Sequence, residues 1–113
     1  MSDPGLVLVH HNAPNDPGFR RWLEDEYFPA IMPLMGVQRV TRLHSTSPAA
    51  VLRPYLTVLH TDDVHHTVSA TLDPAWQALA SEAIERGVAR REIVPYRQIF
   101  QLDARDPDVR GRP

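Results

Sequence analysis

The sequence predicts one α+β domain of β-α-β-β-α-β order, with a four-stranded antiparallel sheet and both helices on one of its faces. Three observations predict it. Two aspartate-proline pairs, Asp16-Pro17 and Asp73-Pro74, each open a run of helical periodicity. Four short segments of strand character surround those runs. The strand-helix-strand pattern then recurs in the two halves of the chain.

Leu6-Val7-Leu8-Val9 is a wholly apolar run that ends in His10-His11 and the breaker cluster 12–16, which reads as a strand and a turn. Asp16 then caps a helix over about 17–31, in which Phe19, Trp22, Leu23, Glu26, Tyr27, Ala30 and Ile31 recur at helical spacing. Pro29 disturbs its last turn, Pro33 stops it and Gly36 closes the connection. Residues 37–44 form a mixed second strand, 45–54 a loop, and 55–60 a third strand rich in β-formers. Residues 62–72 suit a short helix with Val64, Val68 and Leu72 on one side, and a longer helix runs from Pro74 to Gly87 as its C′ residue. Arg90-Arg91-Glu92 reads as a charged connection and 96–102 as the fourth strand. The domain spans 1–103, and the charged, Pro- and Gly-containing stretch 104–113 is expected to be a mobile tail.

Right-handed crossovers arrange these elements as a ferredoxin-like sheet of order 4-1-3-2, leaving one face without helices. One-sided burial would alternate apolar and polar residues. Strand one is apolar throughout, and strand three carries Leu56 and Val58 on one side with Tyr55 and Leu59 on the other. Both faces of the central strands therefore read as buried, and a second copy packed sheet to sheet is the expected cover. A folded-back tail is the other way to cover part of that face.

With 113 residues, 42% of them hydrophobic and 23% charged, the chain suits a single globular domain. A formal net charge of −2 argues against nucleic acid as a partner. No apolar run reaches the ~20 residues of a membrane span, and the acidic start Met-Ser-Asp-Pro lacks the apolar core of a signal peptide. A cytoplasmic protein is expected. There is no cysteine, hence no disulfide, thiolate nucleophile or thiolate metal site.

Phe19-Arg20-Arg21-Trp22-Leu23-Glu24-Asp25-Glu26-Tyr27-Phe28-Pro29 followed by Gly36-Val37, together with Ile93-Val94-Pro95-Tyr96-Arg97-Gln98-Ile99-Phe100, resembles the dimeric α+β barrel proteins. Within them the likeness is to the EthD-like and the REDY-like (HapK-type) families, over roughly residues 5–102. The resemblance implies a homodimer and a superfamily of many reactions: cofactor-free monooxygenases, muconolactone isomerases, polyketide cyclases and haem-degrading enzymes among them. Fold alone does not choose between these. EthD-like helices often carry a histidine two residues before the proline, where this chain has Tyr27, so a mechanism based on that histidine does not transfer. The Trp-Leu-Glu-Asp-Glu-Tyr-Phe-Pro stretch is closer to the REDY-like proteins, which are associated with tailoring steps in pigment and alkaloid pathways.

Topology sorts the polar residues by end. The second half of helix one lies over the start of strand one, the same edge as the end of strand three. Glu26, Tyr27 and His60 are thus expected to meet, with Leu56, Val58 and His60 taken as the helix-facing row of strand three. An imidazole, a carboxylate and a phenol in an apolar cavity suit proton transfer, because burial tunes their pKa values. The opposite edge gathers His10, His11, His44 and Tyr55. Strand alternation lets one of His10 and His11, not both, line a given cavity. Trp22, Trp76 and Phe100 offer flat walls for an aromatic ligand. Each residue also has a plainer role: His60 as a satisfied strand end, Glu26 as a solvated helix residue, the aromatic side chains as core, His65 and His66 as surface.

No His-x-x-x-His on a helix and no glycine-rich phosphate loop occur, so neither a metal nor a nucleotide cofactor is expected, while a single histidine at a cavity leaves haem open. The leading expectation is a cofactor-independent enzyme of secondary metabolism that cyclises, isomerises or dehydrates a hydrophobic, aromatic intermediate. His60 or His10 would shuttle the proton, with Tyr27 or Glu26 orienting the substrate. The rivals are a cofactor-free monooxygenase and a non-catalytic small-molecule-binding or stress-related protein.

Overall fold

A computed structural model describes residues 3–104. It contains β1 (Gly5–Asn12), α1 (Pro17–Trp22), a π-helical turn (Leu23–Tyr27), α2 (Phe28–Met35), β2 (Val37–His44) and β3 (Tyr55–Thr61), then α3 (Val64–Ser69), a 3-10 turn (Ala70–Leu72), α4 (Pro74–Glu85) and β4 (Ala89–Arg97). All pairings are antiparallel and the sheet order is β2-β3-β1-β4, the ferredoxin-like arrangement. The expected tail at 104–113 lies, apart from Ala104, outside the described residues. Among the described residues no helix is long and apolar enough to cross a membrane.

The caps act as the sequence implies. Asp16 accepts a 2.8 Å hydrogen bond from the Phe19 N–H, and Asp73 accepts one of 2.7 Å from Ala75, each with a proline just inside the helix. The first helix does not stop at Ile31, however. It continues through Pro33 to Met35 and ends at Gly36, whose φ of 66° is the left-handed cap conformation. Pro29 explains how. In an uninterrupted α-helix its ring would press on the Asp25 carbonyl, with no N–H to bond it. The π-helical turn widens the helix just before that point, with the Phe28 N–H reaching the Leu23 carbonyl.

The fourth strand also departs from expectation. It occupies 89–97 rather than 96–102, so Arg90-Arg91-Glu92 belongs to the sheet. Antiparallel register sets the limit: Arg97 pairs with Gly5 at the start of β1, and little partner strand remains beyond it. Ile99, Phe100 and Leu102 have high β propensity but are 88%, 77% and 58% exposed. Pro95 is tolerated because β4 is an edge strand, where one side of the backbone needs no partner.

The core lies between the sheet and the helices. Val7 and Leu59 from the sheet meet Phe19, Trp22, Leu23, Ile31, Met35, Trp76, Ala80 and Ala83 from the helices. Strand parity is thereby settled. Val7, Val9 and His11 of β1 and Tyr55, Thr57 and Leu59 of β3 form the helix-facing rows. Leu6, Leu8, His10, Leu56, Val58 and His60 form the opposite face. The more apolar row of β3 is therefore the one turned away from the helices, opposite to the sequence expectation.

Candidate active site

A cavity of about 50 Å³ opens between the helices and the end of β1. At ~10–15 Å³ of accessible space per water, that is room for a few water-sized groups. Leu23, Phe28, Ile31, Met35, Leu59 and Trp76 make most of its wall; His11, Tyr27, Thr57 and Arg91 are its polar members. A wider groove of about 640 Å³ lies by Asp3, Val64, His65 and Arg97. It is shallow, and its titratable groups already pair with one another: the His65 ring nitrogen lies 3.0 Å from Asp3. The smaller cavity, with a buried imidazole in an apolar wall, is the better chemical environment.

His11 is 5% exposed. Its Nδ1 lies 3.4 Å from the Asn12 carbonyl and its Nε2 lies 3.2 Å from Thr57 Oγ1. A carbonyl only accepts, so Nδ1 carries the hydrogen of the neutral ring and Nε2 takes the Thr57 hydroxyl hydrogen. Burial drives the His11 pKa below its ordinary 6.5; the Asn12 bond opposes this, while the charges of Arg42 and Arg91 add to the lowering. The result is a neutral imidazole with its basic nitrogen at the cavity wall.

Tyr27 closes the π-helical turn and lies against Trp22 (ring centroids 5.2 Å apart) and Phe28 (5.6 Å). Burial raises its pKa above 10, with Arg91 pulling the other way, so the phenol stays protonated and serves as a donor. Its hydroxyl makes no hydrogen bond among the described residues. Beside the cavity, His11, Tyr55 and His44 form a cross-strand stack, with centroids 5.9 and 4.6 Å apart, and the Arg42 guanidinium sits 4.4 Å over the Tyr55 ring.

The structure separates the expected trio. Tyr27 lines the cavity, Glu26 is exposed on the π-helical turn, and His60 is on the far face of the sheet with Nε2 3.3 Å from Thr41 Oγ1. His10 shares that far face, cross-strand from Leu56 and Glu92. Trp76 lines the cavity, Trp22 is core against Phe19 and Tyr27, and Phe100 lies beyond β4, away from the cavity. Sequence reasoning missed Thr57, Arg91 and Arg42. Thr57 and Arg42 follow from His11 by register once the helix-facing row is known; Arg91 required placing β4 correctly. Among the described residues no three of His, Cys, Asp and Glu gather as a metal-ligating group.

No protein-family model and no curated protein sequence matches the chain. Solved structures do match in fold. An EthD-family protein of Bacillus halodurans superposes with a TM-score of 0.61 at 13% identity, over 85% of this chain and 99% of that one. HapK of Hahella chejuensis gives 0.63 at 15% identity, over 88% and 97%. A dimeric ferredoxin-like protein of Thermobifida fusca, of unknown function, gives 0.53 at 12%, over 87% and 93%. At these identities the likeness establishes the shared ferredoxin-like fold. It is the same fold group that the helix-one motif and closing stretch resemble.

Proposed function

We propose that this chain is a cofactor-independent acid/base enzyme that removes and returns a proton on a small hydrophobic, aromatic ligand whose reacting end enters the helix-facing cavity. The observation that carries the reading is the buried His11, held neutral with its Nδ1 hydrogen directed at Asn12 and its basic Nε2 at the cavity wall. For this nitrogen to take a proton from carbon, the Thr57 hydroxyl turns its hydrogen away and frees the Nε2 lone pair that it occupies at rest. The Tyr27 phenol donates a hydrogen bond to the oxygen on which charge develops, and Thr57 holds the imidazole plane. Proton abstraction beside a carbonyl is the step shared by isomerisation, cyclisation and dehydration, which keeps the reading close to the tailoring chemistry of the REDY-like group.

A second copy completes the molecule in this reading. Leu6, Leu8, Leu56, Val58 and Val94 lie on the helix-free face, with Leu43 and Tyr96 47% and 51% exposed at its flanks. Sheet-to-sheet pairing buries that patch and leaves the cavity on the other side free.

The base is tested with 5-nitrobenzisoxazole, a ring compound that opens to a phenolate when a base takes its single carbon-bound ring proton beside nitrogen. A saturable rate with an acid limb below pH 6.5, lost in His11→Gln and reduced in Tyr27→Phe, is expected. A His11→Gln protein as active as the parent would overturn the reading.

A further inference from the structure

The charges around the cavity say more about its ligand than its apolar wall does. No carboxylate lines it, while Arg91 does, half-buried and stacked 5.1 Å over the Trp76 ring. Arg42 stands on the other side of His11. It pairs in register with Thr57, the residue that bonds His11. Its guanidinium lies over Tyr55, yet Nε and Nη2 are buried and find no acceptor among the described residues. Arg53 pairs with Glu92, Arg86 with Glu82 and Arg97 with Asp3; the other described arginines, Arg42 and Arg91 among them, form no ion pair among the described residues. Glu24 attracts Arg42 from an exposed position without bonding it, and Arg20 adds repulsion.

Buried donors without acceptors cost free energy, and a charged acceptor recovers the most. A guanidinium stacked on a ring also has its plane fixed, which sets the directions of its N–H donors. Arg42 on β2 and Arg91 on β4 are three strand spacings apart, about 14 Å of backbone separation, with His11 between them. Arg91 lines the cavity, while Arg42 stands outside its lining, over Tyr55.

We propose that the ligand is an organic anion: an apolar body that reaches only in part into the cavity, with a carboxylate or enolate oxygen at the His11 end, received by Arg91 and Arg42. The inference rests on reading this cavity as the ligand site. It narrows the substrate class to acids, or to carbonyl compounds that become enolates in the reaction, for which the arginines hold the charge that appears when His11 takes the proton.

Benzoate and benzamide, nearly equal in size and different in charge, separate the two levels. Each is titrated into the full-length protein while the Trp76 indole and His11 ring signals are followed by NMR. Benzoate is expected to bind about 10- to 100-fold more tightly than benzamide. Arg91→Gln and Arg42→Gln should each remove most of that preference, read as the ratio of benzoate to benzamide affinity within each variant. Arg42→Lys, which keeps the charge without the fork, should retain part of it, and it carries the test if Arg42→Gln does not fold. Equal binding of the two probes at the cavity would overturn the anion inference while leaving the cavity reading intact. Neither probe moving the Trp76 or His11 signals would overturn both.

Discussion

The two faces of this sheet are made from alternate residues of the same strands, and they have opposite chemistry. On the helix side, His11, Thr57 and Arg91 interrupt an apolar wall around a cavity. On the open side, Leu6, Leu8, Leu56 and Val58 make an unbroken apolar patch with His10 and His60 at its ends. The face already covered by helices is the one that tolerates buried polar groups, because their partners are built in: His11 has Asn12 and Thr57, and the fully buried Thr67 reaches the Met35 carbonyl at 2.8 Å. A face that must exclude water by meeting another surface does better without them. High apolarity therefore marks the open face of the sheet, and a few placed polar atoms mark the cavity on the helix side.

The comparison is broken most severely by removing core from the helix side. Trp22→Ala deletes a side chain 6% exposed, packed between Phe19 and Tyr27. It should destabilise by about 3–5 kcal/mol in urea unfolding. Leu43→Lys, by contrast, replaces a side chain 47% exposed on the helix-free face, leaves that core in place and puts two like charges at the pairing face. It should weaken self-association by more than about 100-fold in sedimentation equilibrium while the benzoate signal changes at Trp76 persist. Dimers of undiminished strength would reject the open face as the contact.

The pH response reports on the buried histidine of the helix side. The folded-state pKa of His11 is depressed below its ordinary 6.5, so the unfolded chain binds the extra proton first as pH falls. Stability attributable to this site is complete above pH 6.5 and is lost as pH drops below it. His11→Gln should flatten that part of the stability curve, measured by urea midpoints from pH 7.5 to 5. The smallest effect is expected for Thr57→Val. It removes the hydroxyl that bonds Nε2, at a cost of about 1 kcal/mol in urea unfolding.

Much of the fold was legible because its signals are local. Asp16-Pro17 and Asp73-Pro74 announce helix starts through groups a few residues away, and Gly36 closes α2 because its φ of 66° is unstrained only without a side chain. The π-helical turn was half visible: Pro29 forbids the regular hydrogen bond, but whether the helix ends or widens depends on the packing of Phe28, Ile31 and Met35 against the sheet. The site was less legible. Alternation separates His10 from His11 without saying which row faces the helices, and hydrophobicity pointed to the wrong one.

By itself, then, the sequence determined the order of elements, the sheet topology, the helix caps and the presence of a pair of histidines with opposite orientations. Local dihedral preferences and short-range hydrogen bonds are enough for these. Only the tertiary structure decided that His11 faces the cavity, that Arg91 stands in β4 rather than in a loop, and that Arg42 and Arg91 flank the same imidazole. Those facts depend on strand register and on which face the helices cover. One residue of slip reverses every side chain, and that choice is made by the summed packing of distant segments.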